Sequence, residues 1–195
     1  MKNSNSIYFF PSIYYLNHYY PKRYKKNDES SKRILELKND REEAIEFWYN
    51  QLKVFLDIDC AIAIVPSHKQ SNDNRSSGIS SLAKKLIKDS PKRTDLVSSL
   101  NRHTTIEKLS GGGNREIDIH LHSIEVINKD LIKSQSILLL DDVTTSGNSL
   151  IACKQLLEEA GADEVICLAL TKTVGGRVST KDFVEINSNL SKIFS

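Results

Sequence analysis

Two kinds of apolar pattern alternate along the chain. Residues 60–65, 137–140 and 165–170 are unbroken apolar runs of strand length, and a strand without polar alternation belongs in a sheet covered on both faces. Between these runs the apolar positions recur at three and four residues, the spacing of a helix that buries one side. Ile34, Leu35 and Leu37 predict a short helix over 30–38, and Ile45, Trp48, Leu52 and Phe55 predict a second, opened by Asp40 and Glu43 as a capping box. Ile79, Leu82, Ala83, Leu86 and Ile87 give a helix over about 77–88, and Leu150, Cys153, Leu157 and Ala160 give another that Gly161 ends. Strands and helices alternating in this way predict an α/β domain built on a mainly parallel sheet with helices on both faces.

Three stretches depart from this rhythm. Residues 102–118 carry Gly111, Gly112 and Gly113 and almost no apolar period, so they read as a long flexible loop. Residues 119–127 alternate imperfectly through Ile119, Leu121, Ile124 and Val126 and read as a strand. On such a strand His120 and His122 share one face, either as a metal pair lacking an identifiable further ligand or, the favoured reading, as surface histidines. Near the amino end, Tyr8, Phe9, Phe10, Tyr14, Tyr15, Tyr19, Tyr20 and Tyr24 are interleaved with Lys22, Arg23, Lys25 and Lys26. That mixture either stacks the bases of single-stranded nucleic acid or forms a β-hairpin packed on the domain, and the turn-forming Pro11 and Pro21 favour the hairpin.

Composition narrows the class. A chain of 195 residues that is 39% hydrophobic buries about 70% of its unfolded surface, enough for one sizeable core. A net charge of +2 leaves no global electrostatic demand for nucleic acid or an acidic membrane, although local basic clusters remain open. Cys60, Cys153 and Cys167 are widely spaced and suggest neither a disulfide framework nor a zinc site, so they read as buried thiols in a reducing compartment. No run approaches the ~20 apolar residues of a membrane span. A cytoplasmic protein without a membrane segment is the expectation.

The chemistry concentrates at 137–149. Two adjacent carboxylates, Asp141 and Asp142, end the apolar run of Ile137 to Leu140. They are too polar for a sheet interior and belong at its carboxyl edge, where open α/β sheets bind ligands. Val143, Thr144, Thr145, Ser146, Gly147, Asn148 and Ser149 follow as a small, hydroxyl-rich loop before a helical pattern. Such a loop offers backbone N–H groups, hydroxyls and a helix amino end to a phosphate, while the carboxylates suit sugar hydroxyls or a magnesium ion. The two halves together describe a pocket for a phosphorylated sugar.

The run from Asp141 to Ser149 resembles the phosphoribosyl-diphosphate (PRPP) binding motif of type I phosphoribosyltransferases, in which a strand ends in two acidic residues and a Thr/Ser/Gly loop follows. The resemblance implies a Rossmann-like fold with a small N-terminal hood over 1–39, a core over 40–175 and a C-terminal tail over 176–195. It implies that Thr144, Thr145, Ser146, Gly147, Asn148 and Ser149 hold the 5′-phosphate, and that Asp141 and Asp142 accept from the ribose hydroxyls and meet Mg²⁺ through those hydroxyls or water. Ser67, His68, Lys69 and Arg75 fall where the family binds diphosphate. Residues 101–118 fall where a loop closes over the reacting centre, with Arg102, Lys108 and Arg115 bringing charge to the leaving oxygen. Asp141, Asp142, Arg102 and Lys108 are thus the candidate catalytic residues.

The reaction implied is displacement of diphosphate from the ribose anomeric carbon by a nitrogen acceptor, with Mg²⁺ as cofactor, PRPP and an unknown acceptor as partners, and a homodimer compatible with the fold. Residues 31–38, Val65-Pro66, Arg75 and Leu100-Asn101-Arg102 are similar to marks of the ComF-like, amidophosphoribosyltransferase-like subgroup. This chain departs from that subgroup in having no cysteine before Cys60, where a four-cysteine zinc segment is usual, and in carrying Arg75-Ser76-Ser77-Gly78 in place of an Arg-Gly-Phe-Asn-like signature. The departures keep a second function open: a non-catalytic PRPP- or nucleotide-sensing protein acting in DNA uptake, nucleic-acid handling or regulation.

Overall fold

The computed structural model describes residues 13–24, 26, 28–56, 58–68, 77–106, 114–175 and 183–185. Their elements run β1 (Ile13–Tyr19), α1 (Glu29–Leu37), α2 (Glu42–Lys53), β2 (Cys60–Ile64), α3 (Gly78–Lys88), β3 (Arg93–Asp95), β4 (Leu100–Arg102), α4 (Asn114–Ser123), β5 (Ile124–Val126), β6 (Ser136–Thr144), α5 (Asn148–Glu159), β7 (Glu164–Thr173) and β8 (Phe183–Glu185). Six strands make one sheet in the order β3-β2-β6-β7-β1-β8, with every neighbouring pair parallel. β4 and β5 form a separate antiparallel ribbon. The α/β class with a mainly parallel sheet is the one the apolar pattern predicts.

The unbroken apolar runs are explained by two cores, one on each face of the sheet. Side chains alternate across a strand, and the alternation is followed residue by residue. Ile62, Leu138, Leu140, Ile166, Leu168 and Leu170 face one side, where they meet Ile34 and Leu37 of α1, Trp48 and Leu52 of α2, and Leu82 and Leu86 of α3. Ala61, Ala63, Ile137, Leu139, Val165, Cys167 and Ala169 face the other side, against Leu150, Cys153 and Leu157 of α5 and Leu100 and Ile124 of the ribbon. Burying each leucine or isoleucine contributes about 1.5–3 kcal/mol, so a polar substitution on either face of β6 would be felt.

Several local expectations are corrected. The aromatic segment is not a hairpin over its described part, because Ile13–Tyr15 has a parallel partner on each side, β7 and β8. The second helix is not opened by a capping box: Asp40 is left-handed at φ 54°, and Arg41, the residue before α2, makes no side-chain cap. Residues 119–123 are helical, and only Ile124–Val126 is strand. His120 and His122 therefore lie on a helix. The His122 ring is 2.7 Å from the Asp118 carbonyl, and His120 Nδ1 lies 3.2 Å from Arg102.

One close approach sets the position of α1. A Cβ added to Gly78, the first residue of α3, would stand 1.8 Å from the Leu37 carbonyl oxygen. Only glycine lets the last turn of α1 rest on the first turn of α3.

Candidate functional site

The sheet delivers the acidic pair to its carboxyl edge. Ile137 to Leu140 are fully buried, and the next two residues of β6, Asp141 and Asp142, emerge into a half-buried position. Asp141 Oδ1 accepts the Asp142 N–H at 2.8 Å, and the Ser149 hydroxyl also bonds to Asp141. Burial lifts the Asp141 carboxyl well above the usual carboxylate range, and the charge of Asp142 raises it further against the pull of these hydrogen bonds and of Lys38. Beneath it, burial and the nearby Asp141 push the Cys153 thiol up. Asp142 meets a cation instead, with the Lys38 ammonium 3.0 Å from its Oδ2. Its backbone carbonyl accepts from Thr171 Oγ1 at 3.2 Å on β7, which fixes the strand end between two neighbours.

The loop after the pair turns directly into α5. Thr144 ends β6 and is buried, its Oγ1 without a partner. Thr145 is exposed and shares a 2.8 Å hydrogen bond with Thr173 Oγ1. Gly147 takes φ 76° as the residue before α5 and offers no side-chain cap. Left-handed backbone costs glycine nothing. The N–H groups of the first turn have no helical partners, and they sit at the positive end of a helix of 12 residues, an arrangement suited to an anion. Asn148 is buried within this turn. Ser149, expected on the phosphate, has its hydroxyl on Asp141.

A second loop opens beside the first because β2 and β6 are parallel neighbours, Ile64 opposite Leu140. Val65 N–H still donates to Leu140 O at 2.9 Å, after which Ser67 and His68 become exposed. The Ser67 carbonyl accepts from Arg102 Nε at 2.6 Å, and the His68 carbonyl accepts from the Ile106 N–H at 3.1 Å. Lys69, Arg75 and Lys108 lie outside the described residues, as do Gly111, Gly112, Gly113 and the side chain of Arg115.

Arg102 does not behave as a cation on a flexible loop. It is only 1% exposed on β4, and its guanidinium reaches the Ser67 carbonyl, the Ser123 hydroxyl and His120 Nδ1 at once. Burial draws its pKa down, yet an arginine stays charged. Its five donors suit this three-way tie between the loop after β2, the end of α4 and β4. Arg102 therefore holds the loop that carries Ser67 and His68.

With the two loops and the acidic pair on one edge, the chain can be set against known families. Residues 59–192 match the family described as Phosphoribosyl transferase domain. The chain belongs to this family. Among curated proteins, it is 46% identical over 43 residues to the adenine phosphoribosyltransferase of Treponema denticola, a match covering 22% of this chain and 23% of that protein. The chain is thus aligned with less than a quarter of its relative's length. The acidic strand end and Gly147 lie within the span matched to the phosphoribosyl transferase domain, whereas Lys38 lies before it. Sequence reasoning gave Lys38 no role. The visible signal was its place just after Ile34 and Leu37, at the end of a helix docked on the sheet's carboxyl edge.

Among the described residues no three His, Cys, Asp or Glu side chains form a metal cage. No described helix is long and apolar enough to cross a membrane.

Proposed function

We propose that this protein transfers the phosphoribosyl group of PRPP to a nitrogen acceptor and releases diphosphate. The observation that carries the reading is the direct succession, along one sheet edge, of a half-buried acid pair, a left-handed glycine and the amino end of α5, with the Ser67–His68 loop alongside. Thr145, Ser146 and the N–H groups from Gly147 to Ser149 receive the 5′-phosphate, each contact worth about 0.3–1 kcal/mol. Asp142, held by Lys38, accepts from the ribose hydroxyls, and Asp141 supports it from beneath. Ser67 and His68 face the diphosphate, and Lys69, Arg75 and Lys108, outside the described residues, are the candidate further cations. Catalysis rests on positioning and on stabilising the departing charge rather than on a covalent protein nucleophile.

Mg²⁺ fits this donor set as an ion carried by the substrate. It favours one or two carboxylates together with phosphate oxygens and water, and Asp141 and Asp142 would hold it through water or the ribose hydroxyls. When bound, it would offset charge on the diphosphate.

The relative's name makes adenine the first acceptor to try. A second reading, PRPP sensing without turnover of the ComF-like kind, is supported by Arg75-Ser76-Ser77-Gly78 in place of the Arg-Gly-Phe-Asn-like signature and by the lack of cysteines in the residues before Cys60. Three buried free thiols support a reducing, cytoplasmic setting for either reading. The test is diphosphate release from PRPP and Mg²⁺ across adenine, other bases and simple amines. Release with one acceptor establishes the transferase; clear PRPP binding with no release from any acceptor replaces it with the sensor.

A further inference from the structure

The helix before the family core reaches into the ribose end of the site. Lys38 lies immediately after α1 and outside residues 59–192, yet its ammonium is 3.0 Å from Asp142 Oδ2. This position is built by the fold and not by the ion pair alone. Ile34 and Leu37 are fully buried under the sheet, the Leu37 carbonyl rests against Gly78, and the Lys38 N–H is tied to the carbonyls of Ile34 and Glu36. At the other end of α1, Asp28 accepts the Ser31 N–H at 2.9 Å, and Ser31 Oγ in turn accepts the Tyr20 N–H at 2.9 Å, fastening the helix to the end of β1. The Lys38 side chain itself stays 48% exposed, so the ammonium sits at the mouth of the site and not inside the core.

We propose that Lys38 is a substrate-positioning residue contributed by the amino-terminal segment. It holds the Asp142 carboxylate in the orientation that receives the ribose hydroxyls, and it offsets the negative charge of the acid pair against a polyanionic ligand. A carboxylate has about four lone-pair sites, so an ammonium on Oδ2 leaves Asp142 able to accept from a sugar. Two neighbouring acids without such a cation would repel a phosphorylated sugar at the point where it must be gripped.

This inference rests on the PRPP reading, and its test separates the two. Full-length wild type, Lys38→Ala, Lys38→Arg and Lys32→Ala are titrated calorimetrically with PRPP, ribose 5-phosphate and 2-deoxyribose 5-phosphate. Lys32 is an exposed lysine on the same helix paired with Glu36, and its variant controls for charge in general. Lys38→Ala is expected to weaken PRPP and ribose 5-phosphate by about fivefold, the scale of a partly exposed ion pair, and to weaken the deoxy sugar, which keeps its phosphate but has one hydroxyl fewer for Asp142, to a smaller degree. Lys38→Arg is expected to restore binding, and Lys32→Ala to match wild type. Equal affinity in wild type and Lys38→Ala, or an equal loss in Lys32→Ala, overturns the role of Lys38 alone. Wild type that binds neither PRPP nor ribose 5-phosphate overturns the PRPP reading and this inference with it.

Discussion

The Leu37 carbonyl oxygen stands where a side chain on Gly78 would begin, 1.8 Å from an ideal Cβ, with the Leu37 carbonyl carbon 2.7 Å away. Both partners of that contact are fixed, since Leu37 is fully buried and Gly78 opens α3. Neither can yield as a flexible side chain would. Gly78→Ala is therefore expected to push the end of α1 outward, carrying Lys38 off Asp142. Overpacking of this kind costs about 1–3 kcal/mol, which a urea titration would register as a lower midpoint with little change in slope. PRPP affinity should fall together with stability; a variant as stable as wild type would mean that α1 does not rest on α3.

Asp141 is expected to trade stability for function. Its carboxyl is held above the usual range by burial and by Asp142, so the native state keeps that proton to a higher pH than the unfolded chain, which releases it near pH ~4. Between those two points the native state binds more protons, and the stability due to this group is greatest at low pH and is lost as pH rises through the native titration. Asp141→Asn removes the penalty. Its thermal midpoint should exceed that of wild type at about pH 7.5, and the gain should shrink toward about pH 4.5, while PRPP binding weakens. A midpoint lowered equally at both values would contradict the raised carboxyl.

Removing Arg102 should be felt in two places. Truncation to Ala strips partners from the Ser67 carbonyl and the Ser123 hydroxyl, both now bonded to the buried guanidinium. The cost is about 1.5–3 kcal/mol, the scale of hydrogen bonds to a charged group. Arg102→Lys should rescue little, because one ammonium cannot reproduce the fork. PRPP affinity is expected to fall more than affinity for ribose 5-phosphate, since the tethered loop is the one proposed to meet the diphosphate. Equal losses for the two ligands would show that the tie to Ser67 has no bearing on that end of the site.

The cysteines should be silent in the native protein. Burial pushes the Cys60 thiol up to about 11 and the Cys167 thiol up to about 12, so at pH ~8 the reactive thiolate is on the order of a thousandth or less of either. Iodoacetamide at that pH should leave the folded protein unmodified by mass and add three groups after denaturation, one for each free cysteine. Rapid labelling of a native cysteine would mean that its surroundings open readily.

What could be read from the chain depended on whether the deciding contacts are local. Ile137 to Leu140 and residues 165–170 announce buried parallel strands because both of their faces are covered, and the acid pair announces a sheet edge because it follows such a run. Residues 119–123 misled because Ile119 and Leu121, running on into Ile124 and Val126, mimic an alternating strand. In the structure Ile117 packs toward the core while Ile119 is exposed, a helical spacing that gives way to strand only at Ile124. Arg93–Asp95 passed unnoticed as a strand because three polar residues at a sheet edge carry no apolar signature. Arg102 was legible as a cation near the site but not as a buried one, because its partners are a carbonyl 35 residues earlier and a hydroxyl 21 residues later. The contact between Lys38 and Asp142 is longer still in sequence, and nothing in the residues around either one points to the other.

The place of β1 has a consequence for how the chain assembles. Ile13 sits between Cys167 and Phe183, so β1 must wait, its edges unsatisfied, for partners that lie far later in the sequence. Pairings this distant are slow to close, and an unpaired aromatic edge is where nascent chains stick to one another. β1 can enter the sheet only once β7 is in place, and β8 can pair only after that, so protection of this waiting strand from other chains would favour the yield of folded protein.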